Sequence, residues 1–164
     1  MEIGCALTGG SFMPEVKGTA PARETAFERL TGGYRQALAT GFDYIEASAG
    51  EILALSAEEL DALIELRLDG EFAVRYVNSF VRADLKICTA DRTLLEQYVY
   101  GAVGRIAALG ANIIVFGSGK AREYPAEMTH AEGMEKFLAF TNLCAGAAAQ
   151  YGLKIALEPL NRTE

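Results

Sequence analysis

The 164-residue chain is 51% hydrophobic and carries a formal net charge of −7. Its length and apolar content allow one sizeable core, so we expect a single domain over residues 1–164. The acidic balance, with no local cluster of Lys and Arg, lacks the basic surface that nucleic-acid binding requires. Because no apolar stretch approaches 18 residues and the three cysteines are odd in number and widely spaced, we expect a soluble cytoplasmic protein with reduced thiols and no membrane segment.

Four junctions along the chain share one pattern, in which an apolar-striped helix ends on a glycine and a short β-rich run follows. The glycines are Gly41, Gly70, Gly110 and Gly152. Each stands where a helix C-terminus needs a left-handed residue, a conformation that glycine adopts without steric cost. The spacing between them is typical of a βα unit, roughly 30 residues or more.

The predicted starts and apolar faces of the helices agree with this division of the chain into βα units. Ser56 with Glu59 and Thr129 with Glu132 fit the capping-box pattern. Apolar residues repeat at helical spacing after each start. The two clearest predicted stripes comprise Leu95, Tyr98, Val99, Ala102, Val103 and Ile106 in one helix, and Met134, Phe137, Leu138, Thr141 and Cys144 in the other.

The strands between the helices are short and continuously apolar, as in "NIIVFG", which is typical of parallel strands covered on both faces. With "EIGCAL" at the start, the sequence predicts five strands and four helices in strict βα alternation. That order leaves two main α/β architectures, an open doubly wound sheet or a (β/α)8 barrel. The segment "ALTGGSFMP" after strand one does not fit the dinucleotide fingerprint, and "GSGKA" does not fit a Walker A loop.

Chemistry gathers at the carboxyl ends of the strands in both architectures, so the residues placed there matter most. We predict that strand two ends on Glu46, strand three on Asn78 and Ser79, strand four on Gly117, Ser118 and Gly119, and strand five on Glu158.

Glu158 is the strongest candidate among these strand-end residues. Alternation puts it on the face opposite the aliphatic side chains, and Pro159 holds it in extended backbone. A carboxylate held in this way suits a metal ligand or a general base. The alternative is a structural carboxylate that caps the next turn or pairs with Arg162.

The loop "GSGKAR" is a second candidate. Its backbone N–H groups, with Lys120 and Arg122 nearby, could hold an anion, although its glycines could equally serve only to turn the chain. His130, the one histidine, falls beside the predicted capping residue Thr129 and reads as a solvated residue at a helix start. Serine or cysteine nucleophile chemistry therefore lacks a histidine partner.

The run "IALEPLNRTE", preceded one unit earlier by "NIIVFGSGKAREYP", resembles the xylose isomerase-like TIM-barrel superfamily of sugar and sugar-phosphate isomerases and epimerases. The resemblance implies that Glu158 is a divalent-metal ligand and one of two acid/base carboxylates. It implies that Glu164 contacts substrate hydroxyls and that Glu46 faces the substrate, with Ser118 and Arg122 as further substrate-binding candidates. The implied substrate is a sugar or sugar phosphate.

The resemblance also implies that part of the barrel is missing. Five of eight strands are present, so we expect the N-terminal portion of a barrel that needs about 250 residues. The family completes its site with Asp, His and Glu ligands from later strands. Because Mn²⁺, Mg²⁺ or Co²⁺ needs several ligands, we expect this chain to bind none of them well and to be inactive alone.

Two other functions remain open. An endonuclease IV-like nuclease would need histidines at the ends of strands three and four, where this chain has Asn78, Ser79, Gly117 and Ser118. A non-catalytic half-barrel would instead act by assembly, because open edges at strands one and five expose unpaired backbone groups. Such edges favour a homo-oligomer or pairing with the missing half.

Overall fold

The computed structural model describes residues 1–7, 11–12 and 24–160. Within these ranges five strands alternate with helices. The strands are β1 (Gly4–Ala6), β2 (Tyr44–Ser48), β3 (Val74–Asn78), β4 (Ile113–Phe116) and β5 (Lys154–Leu157). The helices are α1 (Ala26–Ala39), α2 (Ala49–Ala54), α3 (Ala57–Leu68), α4 (Arg92–Ala108), α5 (Gly119–Arg122) and α6 (His130–Ala149).

Local signals in the sequence explain where the long helices begin and end. Gly41, Gly70, Gly110 and Gly152 all have positive φ, between 71° and 94°, so the predicted left-handed C-termini are confirmed. Both predicted capping boxes form, at the starts of α3 and α6. A third, which the sequence analysis missed, joins Thr25 and Glu28 at the start of α1.

The strand order decides between the two predicted architectures. All four pairings are parallel, and the strands lie in the order β1-β2-β3-β4-β5. A doubly wound sheet reverses direction at a switch point, whereas a (β/α) barrel adds each new strand next to the previous one. The described sheet has no reversal, and its order is that of a partial barrel.

The core lies between the sheet and the helices. Ile45, Val77 and Ile114 point to the helices from three neighbouring strands and are fully buried. The predicted stripe of α4 is confirmed for its aliphatic members, with Val99, Val103 and Ile106 buried. The opposite face of the sheet, which carries Glu46 and Asn78, is only partly covered.

The predicted stripe of α6 is confirmed for Cys144, which is buried, and for Phe137, which packs against the core, but not for all of its members. Met134 and Leu138 are exposed, and the buried face of the helix comprises Gly133, Phe140, Cys144, Ala147 and Ala148. Small residues let this helix approach its neighbours closely, so the core face follows side-chain size as well as hydrophobicity.

The described residues contain two short helices in addition to the four that the sequence predicts. Helices α2 and α5 follow β2 and β4 almost directly, inside what the sequence reads as loops. The three cysteines Cys5, Cys88 and Cys144 are free thiols, as expected. Among the described residues, no helix combines the length and apolar character that a membrane span requires.

Candidate functional site

Strands β2 to β5 end around one open cleft of about 720 Å³. It lies at the carboxyl ends of the strands, the edge at which (β/α) barrels carry their chemistry. The cleft is bordered by residues that directly end or follow these strands, among them Ser48, Asn78, Ser79, Gly117, Ser118 and Glu158. The sequence-predicted ends of strands three, four and five are thereby brought together.

Glu158 lies at this cleft as predicted, directly after β5. Its backbone N–H donates to the carbonyl of Phe116 at 3.2 Å, which fixes the end of β5 against β4. Its carboxylate lies over Gly117, so closely that a Cβ on that residue would come within 2.2 Å of Glu158 Oε2. Glycine at position 117 therefore leaves room for the Glu158 carboxylate.

No hydrogen-bond donor among the described residues engages the Glu158 carboxylate, which is exposed to the cleft. Its free oxygens are the kind of ligand that Mg²⁺ and Mn²⁺ prefer. Within residues 1–7, 11–12 and 24–160, however, no three His, Cys, Asp or Glu side chains gather to hold a metal ion. The donor chemistry of this carboxylate fits a divalent cation, but a metal site here would need further ligands from outside the described residues.

Two serines beside the cleft adopt left-handed backbone. Ser79 has φ of 50° and Ser118 has φ of 49°; Ser79 directly follows β3, and Ser118 is the second residue after the neighbouring strand β4. The hydroxyl oxygen of Ser118 accepts a hydrogen bond from the Val81 N–H at 3.0 Å. Strained non-glycine residues of this kind cluster at functional sites. Ser118 lies where a substrate contact was predicted, and that contact stays a prediction.

The sequence predicts that strand two ends on Glu46, and this prediction is wrong. The strand continues to Ser48, whose side chain caps α2, so that Ser48 rather than Glu46 borders the cleft. Glu46 pairs in register with Ala6 and Tyr76, about 7 Å deeper in the barrel at 3.3 Å per residue. It is half-buried on the inner face and lies beneath the cleft.

Arg122 is not among the described residues that border the cleft, and its predicted contact with the substrate stays a prediction. Its guanidinium lies over the rings of Phe116 and Phe137, 4.7 and 4.9 Å from their centroids, on the helix side of the sheet. It donates to the carbonyls of Phe116 and Glu158. Burial lowers the pKa of Arg122, and the nearby Glu158 carboxylate partly opposes that shift.

The segment between β3 and α4 supplies residues that the sequence analysis missed. Arg82 of this segment and Tyr98 of the following helix α4 border the cleft, and the Tyr98 hydroxyl donates to the Phe80 carbonyl at 2.6 Å. Burial raises the pKa of Tyr98. Lys86 ties this segment to α5 by an ion pair with Glu123 at 2.6 Å. The run "NSFVRAD" directly after a predicted strand was the signal that could have identified this wall of the cleft.

Two other predicted positions lie away from the cleft or beyond the description. His130 begins α6 and is exposed, and its Nδ1 lies 3.1 Å from the Tyr124 hydroxyl, as expected for a residue at a helix start. Glu164, the predicted contact to substrate hydroxyls, lies outside the described residues, as does Arg162, the alternative partner of Glu158.

Comparison with solved structures identifies the fold. The chain aligns over 99% of its length with D-allulose 3-epimerase from Methylomonas sp., at 19% identity and a TM-score of 0.70, covering 52% of that chain. The described fold is that of part of a (β/α) barrel. The 3-keto-D-glucoside 4-epimerase from E. coli matches over 99% of this chain and 57% of its own, at 18% identity and a TM-score of 0.68.

An AP endonuclease, family 2, from Brucella melitensis has the same fold, at 17% identity and a TM-score of 0.64, with 99% of this chain and 57% of that chain covered. The chain thus spans about half the length of the solved structures it matches. No family model and no curated protein matches the sequence.

Proposed function

We propose that residues 1–164 form the N-terminal portion of a (β/α)8 barrel enzyme that isomerises or epimerises a sugar or sugar phosphate with the help of a divalent metal. The observation that carries the proposal is Glu158, a carboxylate at the end of β5 with no donor among the described residues and with Gly117 shaped to leave it room. The epimerases among the matching structures support the reaction class.

Glu158 has two proposed tasks, as metal ligand and as base. The ion, Mn²⁺, Mg²⁺ or Co²⁺, would be held by Glu158 together with ligands outside the described residues, and when bound it would acidify the carbon-bound proton beside a substrate carbonyl. Glu158 accepts that proton, which leaves an enediolate. A second acid, also outside these residues, returns a proton to the other face of the same carbon. The single carboxylate is the reason we propose that residues 1–164 alone are inactive.

The polar groups around Glu158 would orient the substrate. Asn78 and Ser48 lie side by side in register at the ends of β3 and β2, and both border the cleft. Amide and hydroxyl groups of this kind can both donate to and accept from sugar hydroxyls. Leu53 and Val81 add apolar wall, which limits the access of water to a reactive enediolate. Contacts from Ser118 and Glu164 to the substrate remain part of the proposal.

The complete gene product provides the test. We expect ketose epimerisation that is lost on chelation and restored by Mn²⁺, and a fall of at least a thousandfold in kcat for Glu158→Gln, since both of its tasks disappear. Glu127→Gln is the matched control, because Glu127 is an exposed carboxylate on the helix side, away from the cleft. Full activity in Glu158→Gln would refute the assignment.

The likeness to an AP endonuclease does not favour nuclease activity here. Ser79 and Ser118 stand after strands three and four, at positions where a nuclease of this kind would need histidines, and the net charge is −7.

A half-barrel that acts by assembly remains the second proposal. β1 and β5 are the two edges of the described sheet, so a homo-oligomer would pair along them. A monodisperse monomer at micromolar concentration in sedimentation would contradict this assembly. The cytoplasmic location expected from the sequence stays a prediction.

A further inference from the structure

The guanidinium of Arg122 connects the carboxyl ends of two neighbouring strands, β4 and β5, beside Glu158 at the edge of the cleft. Nη1 donates to the Glu158 carbonyl at 3.1 Å, and Nη2 donates to the Phe116 carbonyl. The Phe116 carbonyl also accepts the Glu158 N–H. One planar side chain therefore ties together two backbone carbonyls, at the end of β4 and just after β5, beside the hydrogen bond that already joins Glu158 to Phe116.

The surroundings of Arg122 hold the guanidinium in one orientation. It stacks on Phe116 and Phe137, whose own centroids lie 5.7 Å apart, and Phe116 is fully buried. Its Nε is buried and has no hydrogen-bond partner among residues 1–7, 11–12 and 24–160. An arginine that leaves one donor unsatisfied in a buried place is costly, so two carbonyl contacts and two stacked rings must compensate for it.

We propose that Arg122 is a positioning residue, which clamps the backbone of Glu158 to β4 so that the Glu158 carboxylate stays over Gly117 at the cleft. The inference rests on the proposed function of Glu158, but the clamp itself is a property of the fold. Lysine cannot replace it fully, because a single ammonium group neither stacks as a plane nor reaches two carbonyls in a fixed fork.

Arg105 is a matched control for Arg122. It also donates to two backbone carbonyls, those of Ile52 and Leu55, and it ties α4 to α2 away from Glu158. A substitution at either arginine removes carbonyl contacts of the same kind. If Arg122 served only general stability, the two substitutions would have the same local effect at Glu158.

The test is amide hydrogen exchange at Glu158, followed by NMR in the complete protein. We expect Arg122→Gln to speed exchange of the Glu158 amide about tenfold relative to wild type, with Arg122→Lys intermediate, and Arg105→Gln to leave it unchanged. If Arg122→Gln does not fold, the exchange rate of the Glu158 amide in Arg122→Lys decides whether the clamp exists. Unchanged exchange in the Arg122 variants, or an equal rise in Arg105→Gln, would overturn the proposal.

A kinetic measurement on the same proteins separates positioning from substrate binding. A misplaced Glu158 should lower kcat for epimerisation about tenfold and leave KM nearly unchanged, whereas a direct substrate ligand would raise KM. A rise in KM alone would overturn the positioning role. If wild type shows no epimerase activity, the proposed function fails, and the exchange experiment still decides whether the clamp exists.

Discussion

Replacing Gly117 by alanine should separate the position of Glu158 from the stability of the fold. The added Cβ would lie 2.2 Å from Glu158 Oε2, and ordinary contact begins near 3.4 Å, so the carboxylate must retreat by about 1.2 Å. The atom that moves is the far end of a flexible side chain. Gly117 does not adopt left-handed backbone, so alanine fits its conformation without strain.

The expected magnitudes follow from that geometry. Alanine at a compatible glycine position stabilises by roughly 0.4 to 1 kcal/mol through the unfolded chain, which offsets the shift of Glu158. We therefore expect the free energy of unfolding to change by less than about 1 kcal/mol. A displacement near 1 Å at a reacting group can cost about a hundredfold in rate, or roughly 2.7 kcal/mol of transition-state stabilisation.

Urea unfolding and ketose epimerisation by the complete protein measure the two effects separately. Gly101→Ala is the control, because Gly101 lies on α4 and, apart from the backbone of its own helix and its chain neighbours, no atom of the described residues lies within 4 Å of an added Cβ. This control should gain about 0.5 to 1 kcal/mol of stability and keep its activity. A Gly117→Ala protein that is fully active, or one that loses several kcal/mol of stability, would refute the geometry on which the reasoning depends.

Two further predictions concern the walls and core around the cleft. Ser118→Ala removes the acceptor of the buried Val81 N–H and should cost about 1 to 3 kcal/mol in urea unfolding. Ser79→Ala, which has the same backbone conformation but no side-chain hydrogen bond within the described residues, should change stability by less than about 0.5 kcal/mol; equal costs would contradict the role of the Ser118 hydroxyl. Burial raises the pKa of Cys144 from 9.0 to about 12. The neutral thiol therefore contributes stability that is fully present below pH 9 and is lost as the pH rises toward 12. Urea midpoints should fall over that range more steeply in wild type than in Cys144→Ala, and identical slopes would show that the thiol is not buried as described.

The sequence predicted the order of the elements well because the signals there are local. A left-handed glycine such as Gly110, or a capping pair such as Thr129 with Glu132, acts within a few residues and needs no distant partner. Continuous apolar strands then implied a parallel sheet. The choice of a barrel over a doubly wound sheet was not fixed by these signals, since it depends on which strands pair.

The sequence predictions were wrong or incomplete where contacts between distant residues determine the local structure. Strand two extends past Glu46 because Ala47 packs into the core and Ser48 both ends the strand and caps α2, although neither residue type favours strands. The direction of the Arg122 side chain could not be predicted either, because Arg122 ends a helix of four residues, which is too short for periodicity to show which way it faces; its predicted substrate contact stays a prediction. That direction is set by Phe116 and by the carbonyl of Glu158, which lies directly after β5 and 36 residues later in the chain.

Metal binding by the complete gene product tests the central claim most directly. Titration of Mn²⁺, followed by the EPR signal of the free ion, should show one tight site per chain in wild type and in Glu127→Gln. Glu158→Gln should weaken that site at least about a hundredfold, because it removes a direct ligand and even indirect supports of a metal are worth 10- to 100-fold. Equal Mn²⁺ affinity in Glu158→Gln and wild type would contradict the account.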